Sequence, residues 1–132
     1  EVAAVTTIPR GREIVLLVED EAAVRAAASN MLQRLGYRVL EADSPTAALA
    51  IADDATQAID MVLSDVVMPK FSGPRLVAAL RERRPGLPAL LMSGYVGEAV
   101  AIREVADASL PLIEKPFSLS ALAMAVRGVL DG

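Results

Sequence analysis

From Glu13 onward, short apolar runs alternate with amphipathic stretches, and this alternation limits the chain to very few folds. Ile14–Val18 is continuously apolar, as expected of a central strand buried on both faces. Similar runs over 37–42, 59–64, 87–92 and 110–113 predict four more strands, the fourth with Pro88 near its start. A helix over 21–35 is closed by Gly36, a residue suited to the left-handed conformation at a helix end. Ser44 followed by Pro45 gives an N-cap and a proline at the first helical position, and that helix ends near Asp53-Asp54. A third helix opens at Ser72-Gly73-Pro74 and stops at Pro85-Gly86. A short, weaker one covers 97–105, and Ser118 caps a last helix to about residue 130. Strict alternation of five strands and five helices predicts an α/β, doubly wound, five-stranded parallel sheet. Right-handed crossovers put helices on both faces, and the short first connections suit the strand order 2-1-3-4-5.

At 132 residues the chain suits one domain with a real core, and at 3% aromatic content that core must be aliphatic. The formal charge of −4, with no basic run, argues against a nucleic-acid surface. Cysteine is absent, so disulfides and thiolate metal sites are excluded; histidine is absent too, which removes the commonest general base. No apolar run is long enough to span a bilayer and no signal-peptide pattern is present, so a cytoplasmic domain without membrane contact is expected. Residues 1–12 lack helical or strand periodicity and read as a linker; with Glu1 first, they suggest a piece of a longer protein.

In an open parallel sheet, the reactive site lies at the carboxyl ends of the strands, where strand order reverses. Four of the five predicted strands end in groups suited to phosphoryl chemistry: Glu19-Asp20, Asp65, Ser93 and Lys115. Taken singly, each has an ordinary role: Glu19-Asp20 as a helix N-cap, Asp65 and Ser93 as turn residues, Lys115 as a solvated strand end. Order 2-1-3-4-5 brings them together. Three carboxylates at such range raise one another's pKa unless a cation joins them, and magnesium, a hard ion that prefers oxygen, fits best. Asp65 can act as a nucleophile forming an aspartyl phosphate, while Lys115 and the Ser93 hydroxyl hold phosphoryl oxygens.

The motifs VLLVEDE at 15–21, LSDVVMPKFSG at 63–73, LMSGY at 91–95 and EKPF at 114–117, in this order, resemble a response-regulator receiver domain over residues 13–130. The resemblance implies a flavodoxin-like receiver fold spanning 13–132, with Asp65 as the phospho-acceptor. It further implies Mg2+ held by Asp20 and Asp65 directly, by Glu19 largely through water, and by the main-chain carbonyl of Val67. Ser93 becomes the switch hydroxyl, Lys115 the phosphate-pairing lysine, and Pro116 a cis proline. The implied donor is a phosphohistidine on a histidine kinase or histidine phosphotransfer protein within a two-component phosphorelay, with room for a weak homodimer. Such a domain promotes its own phosphorylation and dephosphorylation without being a stand-alone enzyme.

Glu19 replaces the aspartate often found first in the acidic pair, and Ser93 stands where threonine is frequent. Leu112, three before the lysine, replaces the usual aromatic residue, which excludes an aromatic rotamer switch at that position; Tyr95 is left to share that role or to cover the acceptor pocket. MPKFSG, LMSGY and EKPFSL resemble receivers at the C-terminus of hybrid histidine kinases, which suggests such a parent chain. The alternative from another class is a non-phosphorylated pseudo-receiver acting as a protein interaction module. A phosphatase-like enzyme is disfavoured because Val67 occupies the place of its second acid, and a flavin protein because Glu19-Asp20 would repel a phosphate.

Overall fold

The computed structural model describes residues 8–94, 103 and 105–132. Five parallel strands form the main sheet: β1 (Ile14–Val18), β2 (Arg38–Ala42), β3 (Met61–Asp65), β6 (Ala89–Ser93) and β7 (Leu112–Glu114). Their order is β2-β1-β3-β6-β7, which is the expected 2-1-3-4-5 with the main strands counted in sequence. Two short strands that the sequence did not suggest, β4 (Val67–Met68) and β5 (Phe71–Ser72), pair antiparallel beside the end of β3. Lys70, at φ 65°, turns the chain between them.

Four helices are described over their whole length: α1 (Ala22–Arg34), α2 (Pro45–Asp53), α3 (Gly73–Arg83) and α4 (Leu119–Asp131); residues 103 and 105–107 are helical as well. The expected helix over 97–105 lies almost wholly outside the described residues, as does Tyr95. Ser44, Ser72 and Ser118 each accept a backbone N–H from three residues on, at 3.1, 3.3 and 3.0 Å, so hydroxyl caps start α2, α3 and α4. Gly36 follows α1 at φ 101°, as a helix-ending glycine does.

Alternate residues of each strand point to opposite faces. Leu16, Val18, Val62 and Leu91 pack with Ala48, Leu76 and Leu80 of α2 and α3. On the other face Val15, Leu17, Leu63 and Met92 pack with Leu32, Leu122 and Val126 of α1 and α4. Both sheet faces are covered, so β1, β3 and β6 are fully buried apart from the first residue of β1. No helix among the described residues is long and apolar enough to cross a membrane.

Three strands begin two residues later than predicted, each for a local reason, and β2 begins one residue later. The N–H of Ile14 donates to the Asp60 side chain at 2.7 Å, so the ladder of β3 starts only at Met61. Pro88 offers a carbonyl to Val62 but no N–H, and Pro111 does the same for Leu91, so β6 and β7 start beyond them. Residues ahead of β1 lie against the domain: Ile8 packs on the α1–α4 core, and the Gly11 N–H donates to Leu35 O at 3.1 Å.

Candidate functional site

The carboxyl ends of β1, β3, β6 and β7 converge on one edge of the sheet. Val18 pairs with Ser64, which sets Glu19 and Asp65 side by side. Asp65 pairs with Met92 and Ser93 with Glu114, so Ser93 and Lys115 follow on the neighbouring strands. One oxygen from each of Glu19, Asp20 and Asp65 falls within 4.8 Å of the other two. The Lys115 ammonium reaches into this cluster, 3.1 Å from Glu19 Oε2 and 3.4 Å from Asp65 Oδ2. Its own N–H donates to Ser93 O at 2.7 Å, and its peptide bond to Pro116 is cis, as the resemblance implied. The structure therefore brings Glu19, Asp20, Asp65 and Lys115 together and seats Ser93 at the adjoining strand end.

The three carboxylates are not equivalent. Glu19 is fully buried, Asp65 nearly so, and Asp20 faces solvent. Glu19 Oε1 accepts the N–H of Glu21, the residue at the N-cap of α1, at 3.2 Å, while its other oxygen holds Lys115. Burial, and then the charge of Glu19, push the Asp65 carboxyl up to about 7, against the opposing pull of Lys115. Burial works against the Lys115 charge, yet Asp65 and Glu19 outweigh it and hold the ammonium above the ordinary lysine range.

Sequence reasoning missed what holds Asp65 in place. A β-carbon on Gly73 would lie 2.5 Å from Asp65 O, so only glycine lets α3 begin this close to the end of β3. Its N–H donates to Val66 O at 2.6 Å. The signal was present in Ser72-Gly73-Pro74, where a glycine between a cap and a helix-opening proline has no local purpose. Gly94 leaves room for the lysine chain, since a β-carbon there would approach Lys115 Cε to 3.2 Å. Val67 is exposed on β4, two residues from the acceptor, and Leu112 is exposed on the edge strand β7.

One ammonium faces three carboxylates, so the fully ionised site carries excess negative charge. Its donors are all oxygens, as a hard divalent cation requires. The residues present fit magnesium.

Residues 15–127 match the family described as the response regulator receiver domain. The chain is 44% identical over 121 residues to the sensor kinase CckA of Brucella abortus, an alignment covering 92% of this chain and 13% of that protein. It is 39% identical over 108 residues to the response regulator protein FleR of Pseudomonas aeruginosa, covering 82% of this chain and 22% of that one. The chain thus spans a small part of either relative. Among solved structures, the receiver domain of the hybrid histidine kinase CckA superposes with a TM-score of 0.71 at 32% identity, covering 89% of this chain and 98% of that one. The chemotaxis protein CheY4 of Vibrio cholerae does so with a TM-score of 0.77 at 28% identity, over 91% and 100%. With four motifs, the sheet order and the acidic edge in agreement, the chain belongs to the response regulator receiver domain family.

Proposed function

We propose that this domain accepts a phosphoryl group on Asp65 from a phosphohistidine of a histidine kinase or phosphotransfer protein, and changes conformation as a result. The observation that carries the reading is the Lys115 ammonium, 3.4 Å from Asp65 Oδ2 inside a ring of carboxylates. An Asp65 oxygen attacks phosphorus, the phosphorus–nitrogen bond breaks, and the imidazole leaves with the electron pair and takes up a proton from solvent. An acyl phosphate remains on Asp65. Because the nucleophile is a carboxylate, no histidine is needed as base, which suits a chain that has none.

Asp20 and Asp65, with the main-chain carbonyl of Val67 and Glu19 through water, would hold Mg2+. When bound, the ion supplies positive charge that favours the ionised acceptor and offsets charge on the phosphoryl oxygens. Lys115 pairs with one phosphoryl oxygen and the Ser93 hydroxyl donates to another. Phosphorylation turns a carboxylate into an acyl phosphate that carries roughly 1.5 to 2 negative charges at neutral pH, enough to draw Ser93 and Lys115 toward Asp65 and to carry the segments after β6 and β7 with them. The likeness to the CckA receiver supports a hybrid histidine kinase as the parent chain.

Intact-mass measurement after incubation with phosphoramidate and Mg2+ tests the reading. Wild type is expected to gain one phosphate, and Asp65→Asn or added chelator to abolish the gain. A wild-type protein that stays unmodified would point instead to a pseudo-receiver.

A further inference from the structure

The site depends on Glu19, a buried carboxylate on a chain that is leaving a strand to enter a helix. Every polar group of this residue is tied. Its N–H donates to Ala42 O at the end of β2, 3.1 Å away, and its two side-chain oxygens accept from Glu21 N and Lys115 Nζ. Its carbonyl has left the sheet ladder, and there it accepts Arg25 Nη1 at 2.9 Å. Arg25, on the second turn of α1, is itself oriented from β2: its Nε lies 3.4 Å from Glu41 Oε1. The other Glu41 oxygen accepts Ser29 Oγ at 3.0 Å, and Ser29 Oγ in turn accepts Gln33 Nε2 at 2.9 Å.

Arg25, Ser29 and Gln33 recur every four residues, so they form one stripe along α1. A stripe facing a sheet is ordinarily apolar, because buried polar groups gain little unless each is partnered. Here Ser29 is 2% exposed and the three side chains are linked through Glu41 in a chain of polar contacts that ends at the Glu19 carbonyl. Arg25 makes no ion pair with Glu19, Asp20 or Asp65 among the described residues, although it is close enough to hold Glu19 by the main chain.

We propose that Arg25 is a positioning residue for the metal-binding edge: braced by Glu41, Ser29 and Gln33, it fixes the backbone turn at Glu19 and so aims that carboxylate. The inference rests on the magnesium reading above. It also has a sign that simple electrostatics does not share. Removing a nearby positive charge favours a cation, so a pure charge effect makes Arg25→Ala bind Mg2+ more tightly. Loss of positioning makes it bind more weakly, by roughly tenfold, at the lower end of the effect of disturbing a group that orients a ligand.

The test is Mg2+ titration followed by backbone amide resonances, on wild type, Arg25→Ala, Arg25→Lys and Arg84→Ala, each checked for cooperative unfolding. Arg84→Ala is the control for general destabilisation: its guanidinium caps Ala52, Asp54 and Gln57 carbonyls, remote from the site. Arg25→Ala is expected to bind about tenfold more weakly, Arg25→Lys to recover part of the loss, and Arg84→Ala to match wild type. Should Arg25→Ala not fold, Ser29→Ala, which removes a brace of Glu41 without changing any charge, is expected to weaken binding in its place. Equal or tighter binding by a folded Arg25→Ala overturns the role of Arg25 alone, as does unchanged binding by Ser29→Ala. Absence of saturable binding in wild type overturns the magnesium reading, and this inference with it.

Discussion

Replacing Gly73 with alanine sets two effects against each other at the point where α3 meets the acceptor strand. Alanine is the better helix former, by about 1 kcal/mol in a helix interior and less in a first turn. Against this, the new β-carbon would stand 2.5 Å from Asp65 O and 3.1 Å from Val66 Cα, both backbone atoms without rotamer freedom. Reaching an ordinary carbon–oxygen separation requires the start of α3 to retreat by roughly 0.8 Å, which strains the 2.6 Å bond from Gly73 N to Val66 O. Overpacking of this kind costs about 1–3 kcal/mol, so the clash wins and the net loss is about 1–2 kcal/mol. Gly128 is the matched control. It sits inside α4 with nothing within 4 Å of a β-carbon, so Gly128→Ala is expected to gain about 0.5–1 kcal/mol. Urea unfolding of the three proteins, compared at a common slope, reads both effects. The same displacement moves Asp65, so Gly73→Ala is also expected to accept phosphate more slowly. A Gly73→Ala protein as stable as wild type, or more stable, would refute the packing account.

Asp65→Asn is expected to stabilise the chelator-treated protein at pH 8. The folded-state pKa of Asp65 is raised to about 7, so its ionisation opposes folding: the penalty begins above the unfolded carboxylate range and is complete above about pH 7. Allowing for the solvent-facing side at Asp20, the gain is on the order of 2 kcal/mol at pH 8 and vanishes by about pH 4, as thermal melts across pH can show. Glu13 behaves in the opposite sense. Its hydrogen bonds to Arg127, 2.8 and 2.9 Å long, hold its carboxyl below the usual range, so the contact stabilises above the unfolded pKa and is lost as pH falls through the lowered one. Glu13→Gln is expected to cost under about 1 kcal/mol at pH 7 and nothing in strong acid, measured by the same melts.

The parts of the fold that depend on periodicity and capping were legible in the sequence. The apolar run Ile14–Val18 is β1, Ser44-Pro45 opens α2, and the alternation of elements leads to the observed sheet order. The convergence of Glu19, Asp20, Asp65 and Lys115 follows from that order and was legible with it. What escaped depends on side-chain hydrogen bonds or on approach distances. Asp60 diverts the Ile14 N–H, which delays β3, and no propensity records that choice. The two-residue strands β4 and β5 are too short to show alternation. The unequal burial of Glu19 and Asp20 comes from which way the chain turns after β1, and the reach of Arg25 to the Glu19 carbonyl depends on a rotamer braced from β2.

Phosphoryl transfer to Asp65 is the central claim, and borohydride trapping tests it most directly. An acyl phosphate on aspartate is reduced to homoserine, which peptide mass mapping can locate. After exposure to a phosphorylated histidine kinase or phosphotransfer protein with Mg2+, homoserine is expected at position 65 alone, and not when Mg2+ is chelated. Homoserine at another carboxylate, or none at all in a protein that has received phosphate, would contradict the account.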